Sequence, residues 1–152
     1  MEQQKELLAA VMQAIEIEKE TFDFYSAAVQ KSSNPAGKRI FRWLAKGEEL
    51  HYLTMTELYR SLQDGRWVSY GGSLAHLEPE MYGEVEIPLD SDDRKALEIA
   101  LEIERKALAH FEALEMKSID PQGKEMFRSI ILEEKEHRRV ITEKYEIITG
   151  TA

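Results

Sequence analysis

Residues 14–59 lie over residues 100–145 without a gap, at a constant offset of 86, and 17 of the 46 paired positions are identical. The identities include turn residues (Ser32, Pro35, Gly37) as well as helix formers, which shared helical composition alone would not align. Such a chain holds two copies of one unit, and neither copy can bury its apolar face alone. The fold therefore pairs them about an approximate two-fold axis. At 152 residues a single domain over 1–152 is expected.

The repeated unit reads as a helical hairpin. Leu8, Val11, Ile15, Glu18, Phe22, Tyr25 and Val29 follow at steps of three or four, the seam of a packed helix. So do Phe41, Leu44, Glu48, His51, Met55, Leu58 and Leu62; then Leu97, Leu101, Glu104, Leu108 and Phe111; then Phe127, Ile130, Glu134, His137, Ile141, Lys144 and Ile148. Four helices follow, over about 3–31, 35–63, 92–118 and 121–148. Asn34-Pro35 and Asp120-Pro121 signal two starts, as a cap residue followed by proline in the first turn, and Ser91 with Asp92 and Asp93 signals a third. Asp64-Gly65 and Gly150 signal stops. The fold class is all-α, a four-helix bundle of two hairpins, 3–63 and 92–148. Residues 64–91 hold Gly65, Gly71, Gly72, Pro79, Gly83 and Pro88. A segment of that length is expected to cross along the bundle and join parallel second and third helices, with Trp67, Tyr70, Leu74, Leu77, Met81, Tyr82 and Ile87 packing on it.

Composition narrows the chemistry. With no cysteine, disulfides, thiolate zinc, iron–sulfur clusters and a cysteine nucleophile are excluded. A net charge of −9 argues against a nucleic-acid partner, which needs clustered Lys and Arg. No long apolar run suggests a leader or a membrane span, so a cytoplasmic location is expected.

Glu48-x-x-His51 and Glu134-x-x-His137 are the informative motifs. At i and i+3 both side chains lie on one helix face and can meet one metal ion. One such motif is weak in a Glu-rich chain. Two at equivalent places in a repeat weigh more, and each has a Glu 30 residues upstream, Glu18 and Glu104. All six residues occupy seam positions where the pattern calls for Leu or Ile. Four carboxylates meeting in an apolar core would each cost several kcal/mol unless neutralised. Two divalent cations neutralise them, and two imidazoles complete an oxygen-rich set suited to iron or manganese. Tyr25, seven residues after Glu18, is placed to hydrogen-bond a metal carboxylate, or to serve as an ordinary core tyrosine. Its counterpart in the second copy is Phe111. His110 and His76 read as structural or solvated, and Trp43, Trp67 and the methionines as packing.

The segments EKETFDFY (18–25), LAKGEELH (44–51), ERKALAHF (104–111) and ILEEKEH (131–137) resemble the ferritin-like superfamily, and within it the rubrerythrin branch. The resemblance covers residues 5–149 outside the crossover. It implies a ferritin-like bundle holding two iron ions, with manganese or zinc as alternatives. By resemblance Glu48 and Glu134 bridge the metals, Glu18 and Glu104 are terminal ligands, and His51 and His137 complete opposite ends. A homodimer is the assembly the resemblance suggests. Two departures stand out. Rubrerythrins usually carry a cysteine-ligated rubredoxin module, and without cysteine this chain needs an external electron-donor protein, such as a rubredoxin. The extra Glu that exchanges with a histidine as the irons change oxidation state has no counterpart at Leu101 or Ala107.

The expected function is a di-iron oxidoreductase that reduces hydrogen peroxide or dioxygen. Iron oxidation and handling is one rival. A bundle held together by a redox-silent metal and serving as a binding module is another. The six ligand candidates fit all three.

Overall fold

The computed structural model describes residues 2–33, 35–70 and 91–149, with the side chains of Ser91 and of 147–149 left aside. The cap at Asn34, the stop at Gly150 and most of the expected crossover, 71–90 with its His76, lie outside the described residues. Among the described residues four helices make up the architecture: α1 (Glu2–Lys31), α2 (Pro35–Gln63), α3 (Ser91–Lys117) and α4 (Pro121–Thr149). Their bounds fall within a residue of those expected from periodicity and caps. The protein is an all-α four-helix bundle.

Local chemistry explains the ends. Asp120 caps α4, its Oδ1 accepting from Gln122 N at 2.8 Å. Past α2, Gly65 takes φ 74°, the left-handed conformation that glycine adopts without strain. Arg66 N then donates to Ser61 O at 2.9 Å and Gly65 N to Leu62 O at 3.0 Å, the paired bonds that close a helix C-terminus.

Side-chain contacts fix the directions. Gln4, at the start of α1, donates to Leu62 O near the end of α2 at 2.9 Å, so the first hairpin is antiparallel. Asp93, at the start of α3, lies against Gly37 at the start of α2. At the opposite end, Trp67 just past α2 lies against Gly123 at the start of α4. Hence α2 and α3 run parallel, as a long crossover requires.

The seams are buried nearly as expected. In α2 the whole seam from Phe41 to Leu62 is buried. In α1 the inward face is turned toward smaller residues: Ala14, Thr21 and Ala28 are buried beside Val11, Glu18 and Tyr25, while Ile15, Phe22 and Val29 are half-buried. Small side chains there let neighbouring helices approach closely, and the branched and aromatic residues flank the contact. Lys144, read as part of the fourth seam, is likewise half-buried.

The core falls into two apolar clusters. One gathers Val11, Met55, Leu58, Phe111, Phe127 and Ile130 toward the end where α2 stops. The other gathers Tyr25, Ile40, Phe41, Leu44, Leu97 and Ile141 toward the end where α2 begins. Residues 18, 48–51, 104 and 134–137 lie between them, at mid-height on all four helices.

Candidate metal centre

In that layer Glu18, Glu48, His51, Glu104, Glu134 and His137 are all fully buried. Among the described residues two groups can offer ligand atoms within 4.8 Å of one another: Glu18, Glu48, His51 and Glu134, and Glu48, Glu104, Glu134 and His137. Glu48 and Glu134 belong to both. The two groups are counterparts in the repeat, so pairing two copies about an axis builds one double centre. All six residues singled out in the sequence are brought together here.

The contacts within the centre are short. His51 Nδ1 lies 2.8 Å from Glu134 Oε1 and 3.6 Å from Glu48 Oε2. His137 Nδ1 lies 3.0 Å from Glu48 Oε1 and 3.8 Å from Glu104 Oε1. Each imidazole therefore reaches across to the carboxylate of the other copy's Glu-x-x-His motif. Tyr25 donates its hydroxyl to Glu104 Oε1 at 2.6 Å. It thus bonds a carboxylate on α3 rather than Glu18 on its own helix. His110 bonds the Ala10 carbonyl at 2.8 Å and is structural, as expected.

The electrostatics reflect four acids in a dry core. Burial first, then the charges of Glu48 and Glu134, push the Glu18 carboxyl well above the usual range. Burial and the same two neighbours, Glu134 and Glu48, do likewise for Glu104. Burial also acts to raise Glu48, yet its bonding neighbours hold it well below the usual range. Glu18 comes first among those neighbours, then the imidazoles of His137 and His51. Burial acts to lower His51, but its contacts to Glu133, Glu134, Glu18 and Glu48 raise it well above the usual histidine value. Burial and the charge of Glu104 push the Tyr25 hydroxyl up, so it stays a donor.

The donor set can be tested against a metal pair on its orphaned atoms. Both oxygens of Glu18 and one each of Glu48, Glu104 and Glu134 are buried without a hydrogen-bond partner among the described residues. Buried carboxylate oxygens are almost always partnered, because the unsatisfied group forfeits its hydration. These five belong to the very residues that form the two ligand groups, and cations supply what protein donors do not. The residues present therefore fit a dinuclear metal site of oxygen and imidazole ligands.

The polar contacts of two residues near the centre were not legible in the sequence. Glu133, partly buried on α4, accepts from His51 Nε2 at 2.7 Å. Tyr70, just before the undescribed segment, donates its hydroxyl to the same oxygen, Glu133 Oε2. Glu133 reads as one more acid in a Glu-rich helix, and its counterpart in the first copy is Gly47, so the repeat does not flag it. Trp43, expected to pack, stands edge-on to the His137 ring with centroids 4.9 Å apart. Ala107 is buried and Leu101 half-buried beside Glu104, and neither offers a further carboxylate.

A bundle of two antiparallel hairpins with a Glu from each of two helices and a Glu-x-x-His from each of the others defines the carboxylate-bridged metal proteins of ferritin-like architecture. The family model for rubrerythrin matches residues 6–145, nearly the whole chain, and the protein belongs to the rubrerythrin family. No curated protein and no solved structure matches it. No described helix is long and apolar enough to cross a membrane.

Proposed function

We propose that this protein is a di-iron oxidoreductase that reduces hydrogen peroxide or dioxygen with electrons from an external donor. The observation that carries the reading is the pair of overlapping ligand groups, which share Glu48 and Glu134 and leave five buried carboxylate oxygens without a partner among the described residues. A pair of ferrous ions would supply two electrons together, enough to cleave one O–O bond. The remaining work belongs to the chain. Glu48 and Glu134, common to both groups, would hold both ions, and Glu18 with His51 and Glu104 with His137 would hold one each. Tyr25 holds Glu104 in place through its hydroxyl. The two apolar clusters above and below keep water from the layer, which strengthens every charge interaction within it. With no cysteine in these 152 residues, the reducing equivalents would come from a donor outside them, and a rubredoxin is the kind of donor that fits.

The test is anaerobic loading with ferrous iron, followed by stopped-flow mixing with peroxide and, separately, with dioxygen. The expected result is about two irons per chain, oxidised by either agent and retained, with continued turnover once a reductant is added. Iron that leaves the site after oxidation, many ions per chain, would point instead to iron handling. Tight zinc with no reductant-dependent consumption of peroxide would point to a structural metal.

A further inference from the structure

The Tyr70–Glu133 pair is absorbed neither by the repeat nor by the ligand set. Glu133 Oε2 receives two donors, the Tyr70 hydroxyl and His51 Nε2 at 2.7 Å. A carboxylate oxygen accepts, and the Tyr70 hydroxyl and a His51 ring N–H are the groups that can donate to it. This fixes the proton on Nε2 of His51 and turns Nδ1, the opposite ring atom, into the centre, where it lies 2.8 Å from Glu134 Oε1. A metal-binding imidazole needs that arrangement: one nitrogen free of its proton toward the cation, the other anchored on an acceptor that sets the ring's angle and raises its basicity.

Glu133 is itself held. It sits on α4, while Tyr70 comes from the stretch that leaves α2. That stretch is fastened three residues earlier by Trp67, whose ring meets Phe127 edge-on at 5.9 Å and covers Gly123. The anchor of His51 thus reaches into the start of the crossover. In the first copy the position of Glu133 is taken by Gly47, which has no side chain to offer. The Glu133 anchor therefore has no counterpart at position 47 of the repeat.

We propose that Tyr70 and Glu133 are positioning residues for His51, and that they set the affinity of the metal position on the His51 side. The proposal rests on the reading of the centre as a two-metal site. It does not depend on which reaction the metals perform.

Anaerobic titration with cobalt(II), followed by its visible d–d absorption, tests it in the full-length protein. Wild type is expected to take two ions. In Glu133→Gln one ion should bind about 10–100-fold more weakly, with its d–d band shifted, while the other keeps its affinity and spectrum. Tyr70→Phe removes a single hydroxyl from a half-buried ring, so it should fold as wild type does and weaken the same ion by less. Glu133→Asp should recover part of the affinity. Equal weakening of both ions, or unchanged binding in both Glu133→Gln and Tyr70→Phe, overturns the pair and leaves the two-metal reading standing. A wild-type chain that takes up no cobalt or iron overturns that reading, and the pair with it. Should Glu133→Gln fail to fold by circular dichroism, Tyr70→Phe decides: selective weakening of one ion supports the pair, and unchanged binding overturns it.

Discussion

Six side chains stand where a packed helix would ordinarily place leucine or isoleucine, and the centre follows from that exchange. A glutamate in such a position is tolerable only protonated, paired or metal-bound, because an isolated carboxylate in a dry core loses several kcal/mol of hydration. His137→Ala or Glu48→Ala should therefore leave a chain that binds fewer than the expected two or so ions, read directly as metal content after anaerobic loading and desalting. Full retention of two ions in both variants would contradict the ligand set. Without metal the same residues make stability depend on pH. Glu18, Glu104 and His51 hold protons more tightly folded than unfolded. Stabilisation from such groups is complete below their unfolded values and is lost as pH rises through the folded ones. Glu48 is shifted down, and its contribution is lost only as pH falls below the ordinary carboxyl range. The melting temperature of the metal-free chain should thus decline from roughly pH 5 to pH 8. A flat or rising profile across that window would mean that the carboxyls are not held as described.

At the scale of elements, the repeat recurs in how the hairpins turn. Ser32 lies over Gly37 at one end of the bundle and Ser118 over Gly123 at the other, in equivalent places. A Cβ on Gly37 would run into Ser32 Oγ and fall 2.7 Å from Asp93 Oδ1. On Gly123 it would fall 2.5 Å from Ser118 Oγ and 2.5 Å from the Trp67 ring. Both copies keep the glycine because another element crosses each helix start too closely for a methyl group. What crosses differs: an acid from α3 in one case, an indole from the stretch after α2 in the other. Gly123→Ala should cost about 1–3 kcal/mol, since the indole can move only by leaving Phe127. The denaturant midpoint measures this, and a shift within error of zero would show that Trp67 is not seated there. The helix bounds themselves were legible to within a residue. Steps of three and four mark the apolar face, and Asp120-Pro121 and Gly65 mark ends by backbone chemistry that needs no tertiary partner. The inward face of α1 was less legible. Its hydrophobic residues outnumber the positions a close helix contact can fill, and Ala14, Thr21 and Ala28 take those positions by being small.

For the whole molecule, the centre is a joint between halves. Glu18 with the α2 motif comes from one hairpin, and Glu104 with the α4 motif from the other. His51 and His137 each reach the opposite motif's glutamate, at 2.8 Å and 3.0 Å. Cations bound there would tie the hairpins together and would bind the folded chain far better than the unfolded one. Iron or cobalt loading should raise the melting temperature well above that of the metal-free chain, by an amount that grows with free metal, and a chelator should reverse it. Identical melting curves with and without bound metal would detach the metal from the fold.

The sequence alone determined that there are two hairpins, where their helices begin and end, and that six particular residues meet in a core. Each of these is a matter of spacing along one chain and of symmetry between its copies. The tertiary structure decided what lies one layer out. That Tyr25 bonds Glu104 rather than Glu18, and that Glu133 and Tyr70 anchor His51, depends on which helix faces which across the bundle. Neither periodicity nor the repeat carries that information: Glu133 has a glycine for its counterpart, and Tyr70 belongs to a stretch with no period at all.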